Sequence, residues 1–274
     1  MNHNVKTRGS GPKKSLGQFF LRDKITTLRI AKSISDGFPV IEIGPGDGAL
    51  TWALLDIGRA VTAVELDPEL VEQLSQRFSR RRDFRVIRGD ILQVGWESLT
   101  DNLSEIVIVG NLPYHLTAPI LFSVFERVRN NQPPKIVEMV VMIQKEVAQR
   151  LVAVPKSKAF GSLTLLASYH ASIDYLFEVP AKLFYPRPKV DGAVIKLRFH
   201  NPEDRVKVDY PSLRRVVRGS FAQRRKMMRN SLGVVNNLPD NWRDIPYDLT
   251  RRPEEFTLEE FADITNILFP MKEE

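Results

Sequence analysis

Short apolar runs alternate with amphipathic stretches along the first two hundred residues. Five runs are predicted as buried strands: VIEIG (40–44), VTAVEL (61–66), FRVI (84–87), IVIVG (106–110) and IVEMVVM (136–142). Helical patterns lie between them, over residues 48–57, from Pro68 onward, over 118–128 and over 144–154. Strands that alternate with helices of this length indicate a parallel sheet covered on both faces.

Two further patterns frame this alternating region. A first helix is predicted to begin after Asp23, an N-cap, with an apolar face made of Ile25, Leu28, Ile30, Ala31 and Ile34. At the other end, the runs SIDYLF and AVIKLRF are close enough in sequence to pair antiparallel at the sheet edge.

The pattern changes at the segment NPEDR (201–205), after which no convincing strand follows. Residues 210–233 and 254–269 are predicted as amphipathic helices, with Leu213, Val216, Val217 and Phe221 on one face of the first. We therefore expect a basic N-terminal arm over 1–22, an α/β domain over 23–200 and a small all-α domain over 201–274.

The positive charge is concentrated in two segments. The chain of 274 residues has a formal net charge of +7, yet residues 1–24 carry +5 and residues 205–229 carry +8. The rest of the chain is therefore mildly acidic. A single basic run is most often the solvent-exposed face of a helix. Two such runs favour an anionic polymer, and hence nucleic acid, as the partner.

Composition excludes several kinds of chemistry. The chain has no cysteine, which removes disulfide scaffolds, iron–sulfur clusters and thiol nucleophiles, including methylases that attack a pyrimidine through a thiolate. No apolar run approaches the roughly 18 residues of a membrane span, and the basic N-terminus lacks the apolar core of a signal peptide. We expect a cytoplasmic protein without a metal site.

A glycine turn and two carboxylates predict a nucleoside pocket. Gly44 and Gly46, in the segment GPGDG, follow the first predicted strand and open a helix. Glu65 ends the next strand, where a carboxylate accepts hydrogen bonds from ribose hydroxyls, and Asp90 follows the third strand, within reach of an adenine amine. Asp47 places a negative charge where a dinucleotide would carry phosphates, so S-adenosylmethionine fits better than a nicotinamide cofactor.

The segment Asn111-Leu112-Pro113-Tyr114 follows the strand IVIVG directly. The amine of adenine is a poor nucleophile, and two carbonyl oxygens, from the Asn111 side chain and the Leu112 backbone, can accept its two N–H bonds and direct its lone pair. Pro113 stiffens the turn, and Tyr114 offers a face for base stacking. Outside this context, the same segment would be an ordinary proline turn with a buried tyrosine.

Taken together, the motifs resemble a known family. The segments KSLGQFFL (14–21), VIEIGPGDGALT (40–51), VTAVELD (61–67), VGNLPYHLTAPIL (109–121), QKEVAQRL (144–151), FYPRPKVDGAVIKL (184–197) and FAQRRKMMRNSL (221–232) run in the order seen in the small-subunit ribosomal RNA adenine dimethyltransferases of the KsgA type. The resemblance covers the chain from about Lys13 to Phe269.

The resemblance implies a fold, a reaction and a set of residues. The fold would be a Rossmann-like methyltransferase domain with a small C-terminal all-α domain. The enzyme would transfer methyl groups from S-adenosyl-L-methionine to N6 of two adjacent adenosines near the 3′ end of small-subunit rRNA, in an immature subunit, as a monomer. The cofactor-binding positions would be Phe19, Leu21, Gly44, Gly46, Glu65, Leu66, Asp90, Ile91 and Asn111.

The resemblance also implies which residues contact the target base and which bind the RNA. Asn111, Leu112, Pro113 and Tyr114 would act on the target adenine, and Phe184 would sandwich it against Tyr114. The positions Lys13, Lys14, Arg224, Arg225, Lys226 and Arg229 would bind RNA. Two positions depart from the family: Phe19 stands where a polar residue, commonly Asn, is usual, and His115 replaces a common Asn.

Other interpretations remain open on the sequence alone. One is a large-subunit rRNA adenine methyltransferase of the antibiotic-resistance type, which shares the catalytic motifs. Another is an rRNA-binding assembly factor in which the chemistry is subordinate. A DNA adenine methylase is disfavoured because no added target-recognition domain is present, and a nicotinamide oxidoreductase is disfavoured by the glycine turn.

Overall fold

A seven-stranded sheet dominates the computed structural model, which describes residues 17–100, 103–240 and 242–271. The strands are β1 (Phe20–Leu21), β2 (Val40–Ile43), β3 (Val61–Glu65), β4 (Phe84–Arg88), β5 (Glu105–Asn111), β6 (Lys135–Gln144), β7 (Ala171–Val179), β8 (Phe184–Tyr185) and β9 (Gly192–Phe199). The helices are α1 (Lys24–Ala31), α2 (Ala49–Asp56), α3 (Pro68–Arg77), α4 (Trp96–Thr100), α5 (Thr117–Arg129), α6 (Lys145–Leu151), α7 (Ser162–Ser168), α8 (Tyr210–Ala222), α9 (Met228–Ser231) and α10 (Leu258–Leu268).

The sheet runs in the order β4-β3-β2-β5-β6-β9-β7. The pairs from β4 to β6 are parallel, whereas β9 is antiparallel to β6. This arrangement confirms the predicted Rossmann-like α/β class, and β9 and β7 are neighbours at the edge, as predicted. The strands β2 and β5 are buried along nearly all their length, which explains why they read as continuous apolar runs.

Helix starts follow the predicted capping chemistry. The Asp23 carboxylate accepts a hydrogen bond of 2.8 Å from the amide of Thr26, and Asp67 caps α3, which begins at Pro68. The predicted apolar face of α1 is wrong at Ile25, whose side chain is 79% exposed. The buried face of α1 is formed by Thr27, Ile30 and Ala31, and Ile25 lies off that face.

A second, two-stranded sheet was not predicted. β1 pairs antiparallel with β8, with Phe20 opposite Tyr185 and Leu21 opposite Phe184. The Arg22 amide extends this pairing with a hydrogen bond of 2.8 Å to the carbonyl of Leu183. No periodicity of two residues is detectable in so short a strand, so only the contact between distant segments forms it.

The described residues divide into two compact units. The first comprises the described residues up to Ala148 together with Asp174–Phe199, and the second comprises Gln149–Ile173 and the described residues from His200 onward. One division between the two units falls between Phe199 and His200. The segment 149–173, which includes α7, belongs to the second unit, whereas the sequence analysis assigned it to the α/β domain.

The second unit is helical, with an aromatic core. Phe221 of α8 lies 6.0 Å from Phe261 of α10 and 6.4 Å from Phe160, measured between ring centroids. The predicted continuous helix over 210–233 is wrong, because α8 ends at Ala222 and α9 begins at Met228. Arg224, Arg225 and Lys226 therefore lie in the turn between the two helices. Within the described ranges, no helix is long and apolar enough to cross a membrane.

Candidate functional site

One cavity lies beside the carboxyl ends of the central strands, entirely within the first unit. Its volume is about 1150 Å³, including the space at its open side. The structure brings nearly all the predicted cofactor and catalytic positions to its walls: Phe19, Leu21, Gly44, Gly46, Glu65, Leu66, Asp90, Ile91, Asn111, Leu112, Pro113 and Tyr114. A parallel sheet produces this convergence, because its strands all end at the same edge.

The glycine turn after β2 forms one wall. Gly44, Gly46 and Gly48 have φ angles of +65°, +58° and +82°, which favour glycine. A Cβ at Gly46 would also lie 2.9 Å from two ring carbons of Phe20. The ring of Phe20 is therefore seated directly on the turn, a contact that only a glycine permits.

An ion pair joins this turn to the segment before α1. Arg22 Nη1 lies 2.6 Å from Asp47 Oδ2, and its guanidinium is 5.7 Å from the centre of the Phe20 ring. The Asp47 charge is therefore partly balanced by a cation, which the sequence analysis did not foresee. Arg22 and Phe20 together tie the β1 segment to the glycine turn.

Glu65 is buried at the end of β3. Its carboxylate accepts hydrogen bonds from the amides of Gly46 (3.1 Å) and Asp67 (2.9 Å), and it lines the cavity. Burial raises the pKa of the Glu65 carboxyl above its ordinary value, and the two amides oppose that rise. Glu65 thus shapes the glycine turn, and a carboxylate has lone pairs left for a further donor.

Asp90 serves a turn as well as the cavity. Its carboxylate accepts a hydrogen bond of 2.9 Å from the amide of Leu92 and one of 3.2 Å from the side chain of Gln93. Asp90 therefore stabilises a local turn as well as lining the cavity. Leu66, half exposed, and Ile91 flank the same part of the cavity.

The tip of β5 is held in a defined orientation. Asn111 Nδ2 donates a hydrogen bond of 2.8 Å to the carbonyl of Phe19, which leaves Oδ1 as the acceptor end of the amide. The amide of Leu112 donates 3.0 Å to the carbonyl of Met142, so the tip is also bonded to β6. These two bonds fix both the side chain and the backbone at this point.

Tyr114 presents an aromatic face to the cavity, and its phenol group cannot act as a base at neutral pH. Its ring lies 5.5 Å from the ring of Phe19, with 31° between the planes. Its buried hydroxyl has no hydrogen-bond partner among the described residues. Burial, and to a lesser degree the charge of Asp191, raises the pKa of Tyr114 to about 12, so the phenol stays protonated at neutral pH.

Phe184 does not occupy its predicted place. It is 5% exposed, lies opposite Leu21 in the β1–β8 sheet, packs in the core and does not line the cavity. The ring beside Tyr114 is that of Phe19. His115, the other departure from the family, lies against Gly17, whose Cβ position would be 3.0 Å from His115 Nδ1.

Glu42 is a cavity residue that sequence analysis missed. It lies in the middle of β2, is 1% exposed and accepts a hydrogen bond of 2.6 Å from the Thr51 hydroxyl. Burial, with a smaller contribution from the Glu65 charge, raises the pKa of Glu42 from 4.5 to about 8. The sequence signal that points to Glu42 is a single acidic residue inside an otherwise apolar strand.

The predicted RNA-binding residues have different surroundings. Lys13 and Lys14 lie outside the described residues. Arg224 is half-buried, 3.6 Å from Glu254 and 3.3 Å from the carbonyl of Ser157. The others are exposed in and after the turn between α8 and α9: Arg225, Lys226 and Arg229.

Comparison with known proteins identifies a family. The sequence profile of "Ribosomal RNA adenine dimethylase" matches residues 9–268. Proteins called ribosomal RNA small subunit methyltransferase A are similar to this chain. That of Saccharophagus degradans is 36% identical, covering 96% of this chain and 97% of its own length, and that of Pseudomonas aeruginosa is 37% identical, covering 93% and 94%.

Solved structures share the fold. A dimethyladenosine transferase from Plasmodium falciparum superimposes with a TM-score of 0.70 at 20% identity, covering 88% of this chain and 93% of its own. The 23S rRNA methyltransferase ErmE superimposes with a TM-score of 0.67 at 25% identity, covering 91% and 99%. The small-subunit relatives are thus more similar in sequence than the large-subunit enzyme.

The raised pKa of Glu42 predicts a pH-dependent stability. Between pH 4.5 and about 8, the folded chain retains a proton that the unfolded chain releases, so the free energy of unfolding falls as pH rises through this window. Glu42→Gln removes that loss, so its free energy of unfolding should exceed that of the native chain by about 4 kcal/mol at pH 8, but by only about 1 kcal/mol at pH 5. Urea unfolding of both chains at the two pH values measures it, and a difference independent of pH would contradict the assignment.

Proposed function

The chain belongs to the ribosomal RNA adenine dimethylase family, and from this premise we propose how it acts. It is an S-adenosylmethionine-dependent methyltransferase for adenine in small-subunit ribosomal RNA. We propose that the targets are two adjacent adenosines near the 3′ end of that RNA, in an immature subunit. The observation that carries the proposal is the position of Asn111, in the same cavity as the glycine turn and Glu65.

The residues of the cavity fit the cofactor. The turn offers an open backbone surface at Gly44, where an added Cβ would meet nothing within 4 Å, and Glu65 offers a buried carboxylate for ribose hydroxyls. Leu66 and Ile91 would flank the adenine of the cofactor, and Asp90 would accept from its amine. When bound, S-adenosylmethionine supplies an electrophilic methyl group on a positively charged sulfur.

The tip of β5 prepares the nucleophile. Asn111 Oδ1 and the Leu112 carbonyl accept the two N–H bonds of the target amine, which draws its lone pair out of the aromatic ring. Because the amide of Asn111 is held by Phe19 and the backbone of Leu112 by Met142, the acceptors need no rearrangement when the base arrives. Pro113 restricts the turn between them and Tyr114.

In this proposal the stacking surface consists of the rings of Tyr114 and Phe19, and not of the predicted pair Tyr114 and Phe184. Tyr114 stacks the base, and Phe19, which already contacts it, completes the aromatic wall. The neutral phenol does not take the proton of the methylated amine, which passes to water. The chain therefore works by positioning and by accepting hydrogen bonds, without a strong base.

In this proposal, basic side chains of the second unit bind the RNA. The turn between α8 and α9 exposes Arg225 and Lys226, and Arg229 follows on α9. Such side chains bind phosphates without reading sequence. Lys13 and Lys14 would add to this charge, and the enzyme would act as a cytoplasmic monomer.

The site of methylation tests the function directly. The chain is incubated with a labelled methyl donor and with undermethylated small subunits, large subunits or DNA, and the modified base is mapped. We expect N6,N6-dimethyladenosine at two adjacent positions near the 3′ end of the small-subunit RNA. Label on the large subunit would favour the antibiotic-resistance type of enzyme, and binding of small subunits without label would favour an assembly factor.

Two substitutions at Asn111 separate its roles. Asn111→Ala should lower methyl transfer by about 10²–10³-fold, since an acceptor for the target amine is lost, while RNA affinity stays within about threefold. Asn111→Asp keeps an acceptor oxygen but loses the hydrogen bond to Phe19, so it should retain more activity than the alanine variant. Single-turnover rates and subunit binding measure both effects. Equal losses of transfer and RNA binding in Asn111→Ala would contradict the assigned role.

The basic turn predicts a contrast between neighbouring arginines. Arg225→Glu and Arg229→Glu should weaken binding to small subunits and reduce its salt dependence, with an unchanged melting temperature. Arg224→Glu should also lower the melting temperature, because Arg224 contacts Glu254 and Ser157. Binding at several salt concentrations and thermal melting measure these effects. Native affinity and salt dependence in the first two variants would remove this turn from the RNA interface.

A further inference from the structure

A groove on the first unit lies outside the cavity described above. It is about 950 Å³ in volume, including its open side, and runs between α2 and the end of α3 with the residues that follow it. Aromatic, amide and guanidinium groups face it from Trp52, Gln76, Arg77, Arg80 and Arg81, and Asp56 is the acid among its lining residues. None of these residues contributes to the cofactor cavity.

Trp52 is an unusual residue to find exposed on this helix. Every other residue from Leu50 to Leu55 is buried against the core, whereas the Trp52 side chain is 49% exposed. Its indole is therefore a flat, apolar surface that the fold does not use. A half-exposed aromatic ring beside cations is the arrangement on which nucleic-acid bases stack.

The charge of the groove differs from that of the surrounding unit. Residues 77–88 contain six arginines and one aspartate, while the remaining described residues of the first unit contain eighteen acidic and fourteen basic side chains. The positive charge of this unit is thus concentrated in the arginine-rich stretch SRRRDFR and its neighbours. Such a concentration attracts a polyanion.

Two of the arginines are held in place and a third is available. Arg77 donates 2.6 Å to the carbonyl of Asp47, and Arg81 donates 2.8 Å to the carbonyl of Leu55 while pairing with Asp83. Arg80 is exposed, and among the described residues it has no hydrogen bond or ion pair. Arg80 can therefore contact a phosphate without first breaking another interaction.

We propose that this groove binds an unpaired segment of the substrate RNA, with a base stacked on Trp52 and a phosphate at Arg80. The inference rests on the proposed function and extends it, because it gives the first unit an RNA contact of its own. An unpaired strand fits better than a duplex, since an RNA helix presents no base face to an indole. An acidic protein segment would not need the exposed ring.

The experiment compares two substitutions, each with a matched control. Arg80→Glu tests the phosphate contact, and Arg82→Glu makes the same charge change at an exposed residue of the stretch that does not line the groove. Trp52→Ala removes the stacking surface, and Trp52→Phe keeps an aromatic ring. The probes are undermethylated small subunits and a labelled oligouridylate of about twelve nucleotides. Thermal melting checks that each variant is folded.

We expect Trp52→Ala to weaken the binding of both probes by about tenfold, and Trp52→Phe by much less. Arg80→Glu should also weaken both and reduce the salt dependence by about one phosphate contact, whereas Arg82→Glu should have a small effect. Native affinity in Arg80→Glu and Trp52→Ala, or equal losses in Arg80→Glu and Arg82→Glu, would overturn the proposal. Weaker subunit binding with unchanged oligouridylate binding would assign the groove to a protein and would also overturn it. Methyl transfer to the same subunits by the native chain reports separately on the proposed function.

Discussion

The close approach of β5 to β2 at Gly110 is the constraint on which the site depends. Gly110 stands opposite Ile43 in the parallel register, and a Cβ at Gly110 would lie 2.5 Å from the carbonyl oxygen of Ile43. Only glycine allows this contact, and the next residue of each strand begins a functional loop. Gly44 opens the cofactor turn, and Asn111 ends β5 beside it. In the proposed mechanism, the distance between the methyl donor and the acceptor carbonyls is set by the backbone spacing of two buried strands, which is among the most rigid features of a fold.

The short segment from Phe19 to Arg22 completes the site from outside the sheet. Its carbonyl at Phe19 orients Asn111, its Phe20 ring sits on Gly46, and Arg22 pairs with Asp47. The same segment, as β1, pairs with β8. One piece of chain thus contacts the cofactor turn, the acceptor tip and the aromatic surface at Tyr114. This explains how a phenylalanine at position 19 is accommodated: its backbone carbonyl makes the polar contact, and its ring supports Tyr114.

The parts of the structure predictable from sequence are those encoded locally. Apolar runs, the glycine turn, the cap at Asp23 and the helix start at Pro68 each depend on a few neighbouring residues, and the sequence predicts all of them. The errors concern contacts between distant segments. The burial of Phe184 depends on a strand some 160 residues earlier, the pairing of Arg224 depends on Glu254, and the assignment of residues 149–173 depends on packing with helices at the other end of the chain. The helix break after Ala222 was missed because α8 and α9 share a continuous basic and apolar pattern.

The central claim is that the carbonyl oxygens at the tip of β5 hold the target amine in place beside the cofactor turn. Its most direct test is a crystal structure of the chain with S-adenosylhomocysteine and adenosine. The account predicts that the adenosine N6 lies about 2.7–3.2 Å from both Asn111 Oδ1 and the Leu112 carbonyl, with the base against Tyr114. A base bound elsewhere in the cavity, or an Asn111 side chain directed away from N6, would contradict it.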